Sequence, residues 1–84
     1  MVQRYLYCMP TAFVLINCEL GEEEKIIKQL RNVDEIEVTR IAGVYDIIVK
    51  VSANNIDKLK EIITNNIRRI EKVKSTLTLI VSNS

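Results

Sequence analysis

The chain has no histidine and no tryptophan, and among its 84 residues it has one proline, two glycines and two cysteines. Without histidine, Ser-His-Asp and Cys-His nucleophilic chemistry and zinc-finger ligation are disfavoured, and no metal or cofactor is expected. Cys8 and Cys18 stand in no metal-ligand spacing. Cys18 closes an apolar run and reads as a small buried hydrophobe, and intracellular thiols are ordinarily reduced, which argues against a Cys8–Cys18 disulfide. An excess of one charge is missing too: 12 Lys+Arg face 11 Asp+Glu, for a formal net charge of +1. The signs are interspersed, which is not a nucleic-acid footprint. Long hydrophobic runs are also absent. Ala12 to Ile16 and Leu77 to Val81 are far too short to span a bilayer and no signal peptide opens the chain, so the expectation is a cytoplasmic protein without a membrane partner.

What is present is the composition of one ordered domain, 48% hydrophobic and 27% charged. A chain this short buries roughly 60% of the surface that its unfolded form exposes, so a partner surface is expected to add to its stability.

Residues 1–11 lack a period, are interrupted by Pro10, and read as an N-terminal tail or extension ahead of a domain over residues 12–82. Ala12 to Cys18 is apolar at consecutive positions, the pattern of a strand covered on both faces. Gly21 turns the chain, Glu22, Glu23 and Glu24 complement the positive end of a helix dipole, and Ile26, Ile27 and Leu30 recur at helical spacing to a stop near Asn32. Glu35 to Ile41 alternates as a second strand, with Ile36, Val38 and Arg40 on one face. After Gly43 a third strand runs through Tyr45, Ile47, Val49 and Val51 on one face and Asp46, Ile48 and Lys50 on the other. Asn54 and Asn55 can cap a second helix with the stripe Ile56, Leu59, Ile63 and Ile67, widened by Ile62, and Arg68 and Arg69 close it. Val73 to Val81 is a fourth strand.

The order β-α-β-β-α-β predicts an α+β, ferredoxin-like fold, a four-stranded antiparallel sheet with two helices on one face. The other face of the sheet then needs a cover that this chain does not supply. Pairing sheet to sheet with an identical subunit, as a dimeric α/β barrel, is the economical solution.

The chemistry gathers at the reversal around Gly43, which can take positive φ without a β-carbon penalty. Just after it come Tyr45 and Asp46, an aromatic hydroxyl and a carboxylate beside turn amides at the mouth of the sheet, suited to a small ligand. Asp46 needs a partner if it is buried, which turn amides or a cationic ligand group could equally provide. Tyr45 could pack at a subunit contact or reach a ligand. The basic residues Arg68, Arg69, Lys72 and Lys74 read as dipole partners at a helix C-terminus.

Several segments together resemble the effector-binding (RAM) domain of the Lrp/AsnC transcription regulators: Ala12-Phe13-Val14-Leu15-Ile16-Asn17, the Leu20-Gly21-Glu22-Glu23 turn, Gly43-Val44-Tyr45-Asp46, and the ending Val73-Lys74-Ser75-Thr76-Leu77-Thr78-Leu79-Ile80-Val81. The resemblance covers Ala12 to Val81. It implies a domain that dimerises through its sheets, assembles into rings of dimers, often octamers, and binds amino acids between dimers. By the same resemblance, Ala42, Gly43, Val44, Tyr45 and Asp46 would form one wall of the pocket, and Thr76 and Thr78 would supply hydroxyls across a subunit boundary. By composition alone, those two threonines are ordinary strand formers on a surface. Family regulators also carry a helix-turn-helix domain, for which Met1 to Thr11 is too short. The chain therefore resembles the stand-alone RAM proteins, acting by self-assembly or with full-length regulators and without direct DNA binding.

The leading expectation is thus a non-catalytic amino-acid sensor. A cofactor-free enzyme of the dimeric α+β barrel type is the alternative, weakened by the lack of histidine and of a carboxylate pair in an evident cleft. An ACT-like amino-acid-binding module is a close variant of the first reading. RNA binding by an RRM-like sheet is disfavoured, because the third strand offers only Tyr45, at its edge, for stacking.

Overall fold

Successive side chains of a strand point to opposite faces, so the consecutive apolar residues of β1 (Thr11–Cys18) supply two surfaces. In the computed structural model, which describes residues 10–81, one surface is enclosed and the other is half-covered. Ala12, Val14, Ile16 and Cys18 are buried, while Thr11, Phe13, Leu15 and Asn17 are only partly so. The remaining elements are α1 (Glu23–Leu30), β2 (Ile36–Arg40), β3 (Ile47–Ser52), α2 (Ile56–Asn66) and β4 (Val73–Val81). The four strands form one antiparallel sheet in the order β2-β3-β1-β4, so the fold is the ferredoxin-like α+β plan that the element order predicts.

Both helices pack on the face carrying the even-numbered residues of β1. Ile26, Ile27 and Leu30 of α1 and Leu59, Ile62 and Ile63 of α2 share one core with Val14, Ile16, Ile47, Val49 and Val51. Among the described residues no polar or charged side chain is buried in it. Glu23 and Glu24 occupy the first turn of α1, where a carboxylate favours the helix dipole. Asn55 caps α2 as expected, its Oδ1 accepting the Lys58 N–H at 2.7 Å. No helix among the described residues is long and apolar enough to cross a membrane.

Two expectations are corrected. Ile56 does not join the apolar stripe of α2 and is 42% exposed. It is the first residue of the helix, and helical side chains lean toward the N-terminus, so it leans off the end rather than onto the core. The third strand begins at Ile47, leaving Tyr45 and Asp46 outside it in a connection closed by the Ile41 N–H donating to the Asp46 carbonyl at 2.9 Å. Cys8, and with it the question of a disulfide to Cys18, lies outside the described residues.

β4 enters the sheet irregularly. Asn17 pairs with Ser75 but Cys18 pairs with Val73, so one extra residue is accommodated on β4. Just before it, Lys72 has φ of 73°, the one positive value at a non-glycine position among the described residues. The Glu19 N–H donating to its carbonyl at 2.9 Å ties this turn to the end of β1. A β-carbon in the left-handed region costs roughly 1–2 kcal/mol, which glycine avoids at the expense of greater freedom in the unfolded chain. Lys72→Gly is expected to stabilise the domain by about 0.5–1 kcal/mol, raising the melting temperature by about 4 °C in a thermal denaturation. An unchanged or lower midpoint would contradict it.

Candidate functional site

Antiparallel pairing places the end of β1 beside the start of β3, and the β2–β3 connection therefore sits at the same end of the sheet as Cys18. Gly43 has φ of 152°, inside the region that favours glycine, and a β-carbon built there would meet nothing within 4 Å. Its role is conformational, letting Ala42 to Tyr45 bow outward. Ala42, Gly43 and Val44 are exposed, Val44 by 84%, and Tyr45 and Asp46 are half-buried. Leu20, 97% exposed in the turn after β1, projects from the same end.

Asp46 is the anchor of this corner. Its carbonyl accepts from Ile41 and its N–H donates to the Ile16 carbonyl, both at 2.9 Å. Its carboxylate Oδ2 accepts the Cys18 N–H at 2.9 Å and lies 3.7 Å from the Cys18 Sγ. Of the two partners open to it from sequence, Asp46 uses a backbone amide, though one on the neighbouring strand rather than in its own turn. Burial first, and then the adjacent Asp46 carboxylate, push the Cys18 thiol up to about 11. At neutral pH Cys18 therefore keeps its proton, which it can direct at Oδ2 as a weak donor. Oδ1 makes no hydrogen bond among the described residues. The corner thus offers one committed and one uncommitted carboxylate oxygen, beside the half-buried Tyr45 ring and the exposed Val44.

Thr76 and Thr78 are half-buried on the helix side of β4, opposite Ile16 and Val14. β1 lies between them and β3, so about 10 Å of sheet separates Thr76 from the strand that follows the corner. Within one chain the two groups are not brought together. Neither group lines the cleft of about 480 Å³ between α1 and the turn before β4. That cleft is not legible in the sequence, since it joins residues 40 to 50 positions apart. The partnership of Asp46 with Cys18, by contrast, follows from antiparallel pairing of the first and third strands.

Comparison with known proteins identifies the family and the fold. The family model described as the Lrp/AsnC ligand-binding domain matches residues 11–84. An uncharacterised HTH-type transcriptional regulator of Pyrococcus horikoshii is 26% identical over 73 residues, covering 86% of this chain and 46% of that protein. The regulatory protein AsnC of Escherichia coli is 38% identical over 56 residues, 66% of this chain and 37% of AsnC. The chain therefore spans about half the length, or less, of the curated relatives it matches. Among solved structures, that of a hypothetical protein from Pyrococcus horikoshii superposes with a TM-score of 0.83 at 31% identity, covering 90% of this chain and 93% of that one.

Proposed function

The chain belongs to the Lrp/AsnC family as its ligand-binding domain, and from that premise we propose that it is a non-catalytic sensor of a small effector, an amino acid, which signals through self-assembly. By joining its own copies or full-length Lrp/AsnC regulators, it would modulate transcription. The observation that carries this reading is the Asp46 corner, where a carboxylate oxygen is held in place and left open. Oδ1 would take the ligand ammonium, the amides of Ala42 to Tyr45 its carboxylate, and Val44 and Tyr45 its side chain. Thr76 and Thr78 would complete the pocket from a neighbouring subunit, since their own chain holds them away from the corner. A pocket shared between copies links occupancy to assembly, because ligand then favours the oligomer that completes it.

The reading is tested by a thermal-shift panel of the common amino acids combined with light scattering. At 100 times its Kd a ligand adds about 2.7 kcal/mol, which in a domain of this size raises the midpoint by roughly 10 °C or more. The expected outcome is such a rise for one amino acid or a chemically related group, together with a change in mass, and no turnover of the ligand. If no amino acid moves either the midpoint or the mass, the sensor reading fails and a purely structural adaptor replaces it.

A further inference from the structure

We propose that the cleft between α1 and the turn ahead of β4 binds a dicarboxylic amino acid within a single chain, at a site distinct from the Asp46 corner. The floor of the cleft is apolar, made by Ile26 of α1 and Ile70, both buried. Its rim carries three cations, Lys25, Arg69 and Lys72, and two carboxylates, Glu22 and Glu71, with Gln29 able to donate and accept. The ion pairs among the described residues are Arg40 with Glu24 and Lys58 with Glu61. Neither the three cations nor the two carboxylates of the rim therefore have an opposite charge within 4.0 Å.

A rim with one more positive than negative group suits a ligand of the opposite balance. Two ligand carboxylates against Lys25, Arg69 and Lys72, and one ammonium against Glu22 and Glu71, give every charged group a partner. The methylenes between them lie on Ile26 and Ile70. A simple anion would leave the two glutamates facing like charge. Independently, the backbone is bent at this place: Lys72 holds a left-handed conformation that costs stability, fixed by the Glu19 N–H and followed by the irregular start of β4. Local strain of this kind collects at binding sites. The cleft of about 480 Å³ has room for a ligand of this size and its water.

The test is titration calorimetry and amide chemical-shift mapping with L-glutamate, L-glutamine, glutarate and inorganic phosphate as separate ligands. L-Glutamate is expected to saturate at one per chain, with shifts centred on Lys25, Gln29 and Glu71. L-Glutamine, which lacks the second charge, and glutarate, which lacks the ammonium, should each bind at least tenfold more weakly. Arg69→Gln and Lys25→Gln, both at exposed positions, should each weaken L-glutamate at least tenfold with the fold intact, and Asp46→Asn should change it less than twofold. The proposal is overturned by an absence of saturable binding, by binding indifferent to both cleft variants, or by glutarate or phosphate binding as tightly as L-glutamate. L-Glutamate binding lost in Asp46→Asn alone would also overturn it, by placing that ligand at the corner and supporting the sensor site instead.

Discussion

Asp46→Ala is expected to lower the melting temperature by roughly 10 °C, whereas Asp46→Asn lowers it by only a few degrees and yet removes effector binding at the corner. The alanine variant leaves the Cys18 N–H without its acceptor at a half-buried site. Such a loss costs about 1–3 kcal/mol, a large share of the stability of a small domain. Asparagine keeps an oxygen in place for that N–H and gives up only the charge assistance, so the brace survives. What it cannot keep is the negative charge at Oδ1 that would hold an ammonium group. Thermal denaturation and the amino-acid panel, run on both variants, therefore separate Asp46 as brace from Asp46 as ligand. Equal destabilisation by both substitutions would mean that the carboxylate charge itself holds the corner. An Asp46→Asn protein that still responds to the effector would remove Asp46 from the ligand site.

The sequence leaves the two roles of Asp46 open for a definable reason. A carboxylate at the start of an apolar strand needs a partner if it is buried, and that much is legible at Asp46. That need does not specify the strand that supplies the partner, because β1 and β3 are 28 positions apart at the contact. The strand order alone would have brought the ends of β1 and β3 together. The elements themselves were legible because local pattern and tertiary packing agree: Ile26, Ile27 and Leu30 recur at helical spacing and are buried, and Asn55 caps where an asparagine should. Sequence pattern extends the third strand back to Tyr45, because a β-branched, aromatic run reads as a strand wherever it stands. Here the Ile41-to-Asp46 closure widens the turn instead. Thr76 and Thr78 show the remaining gap. The strand pattern of Val73 to Val81 is local, whereas the register that sets Thr76 and Thr78 opposite Ile16 and Val14 is a tertiary fact, and neither says whether a second subunit faces them.

Leu77→Glu and Leu79→Lys are each expected to reduce the mass in solution to that of one chain while leaving the fold intact. On the face of the sheet without helices, β4 presents Leu77 and Leu79 opposite Leu15 and Phe13 of β1, and Ile48 of β3 continues the patch. Leu77 and Leu79 are 42% and 49% exposed, and the helices bury only the opposite face. An apolar sheet face of this kind is the ordinary mark of an interface, and a second copy supplies a surface of matching chemistry. In a two-fold dimer a substituted charge enters the interface twice, each desolvated without a partner at several kcal/mol. Even about 3 kcal/mol in total weakens assembly more than 100-fold. Thr64→Glu, an exposed position on α2, should leave the mass unchanged. The sheet face is linked to the corner through β1, which gives Phe13 and Leu15 to one and the Ile16 carbonyl and Cys18 amide to the other. The same two variants should therefore also blunt the thermal response to the effector, although Leu77 and Leu79 lie on β4, away from Asp46. A wild-type protein that is monomeric at concentrations on the order of 100 µM, or variants that keep its mass, would leave the open face without the role assigned to it and the corner without its neighbouring subunit.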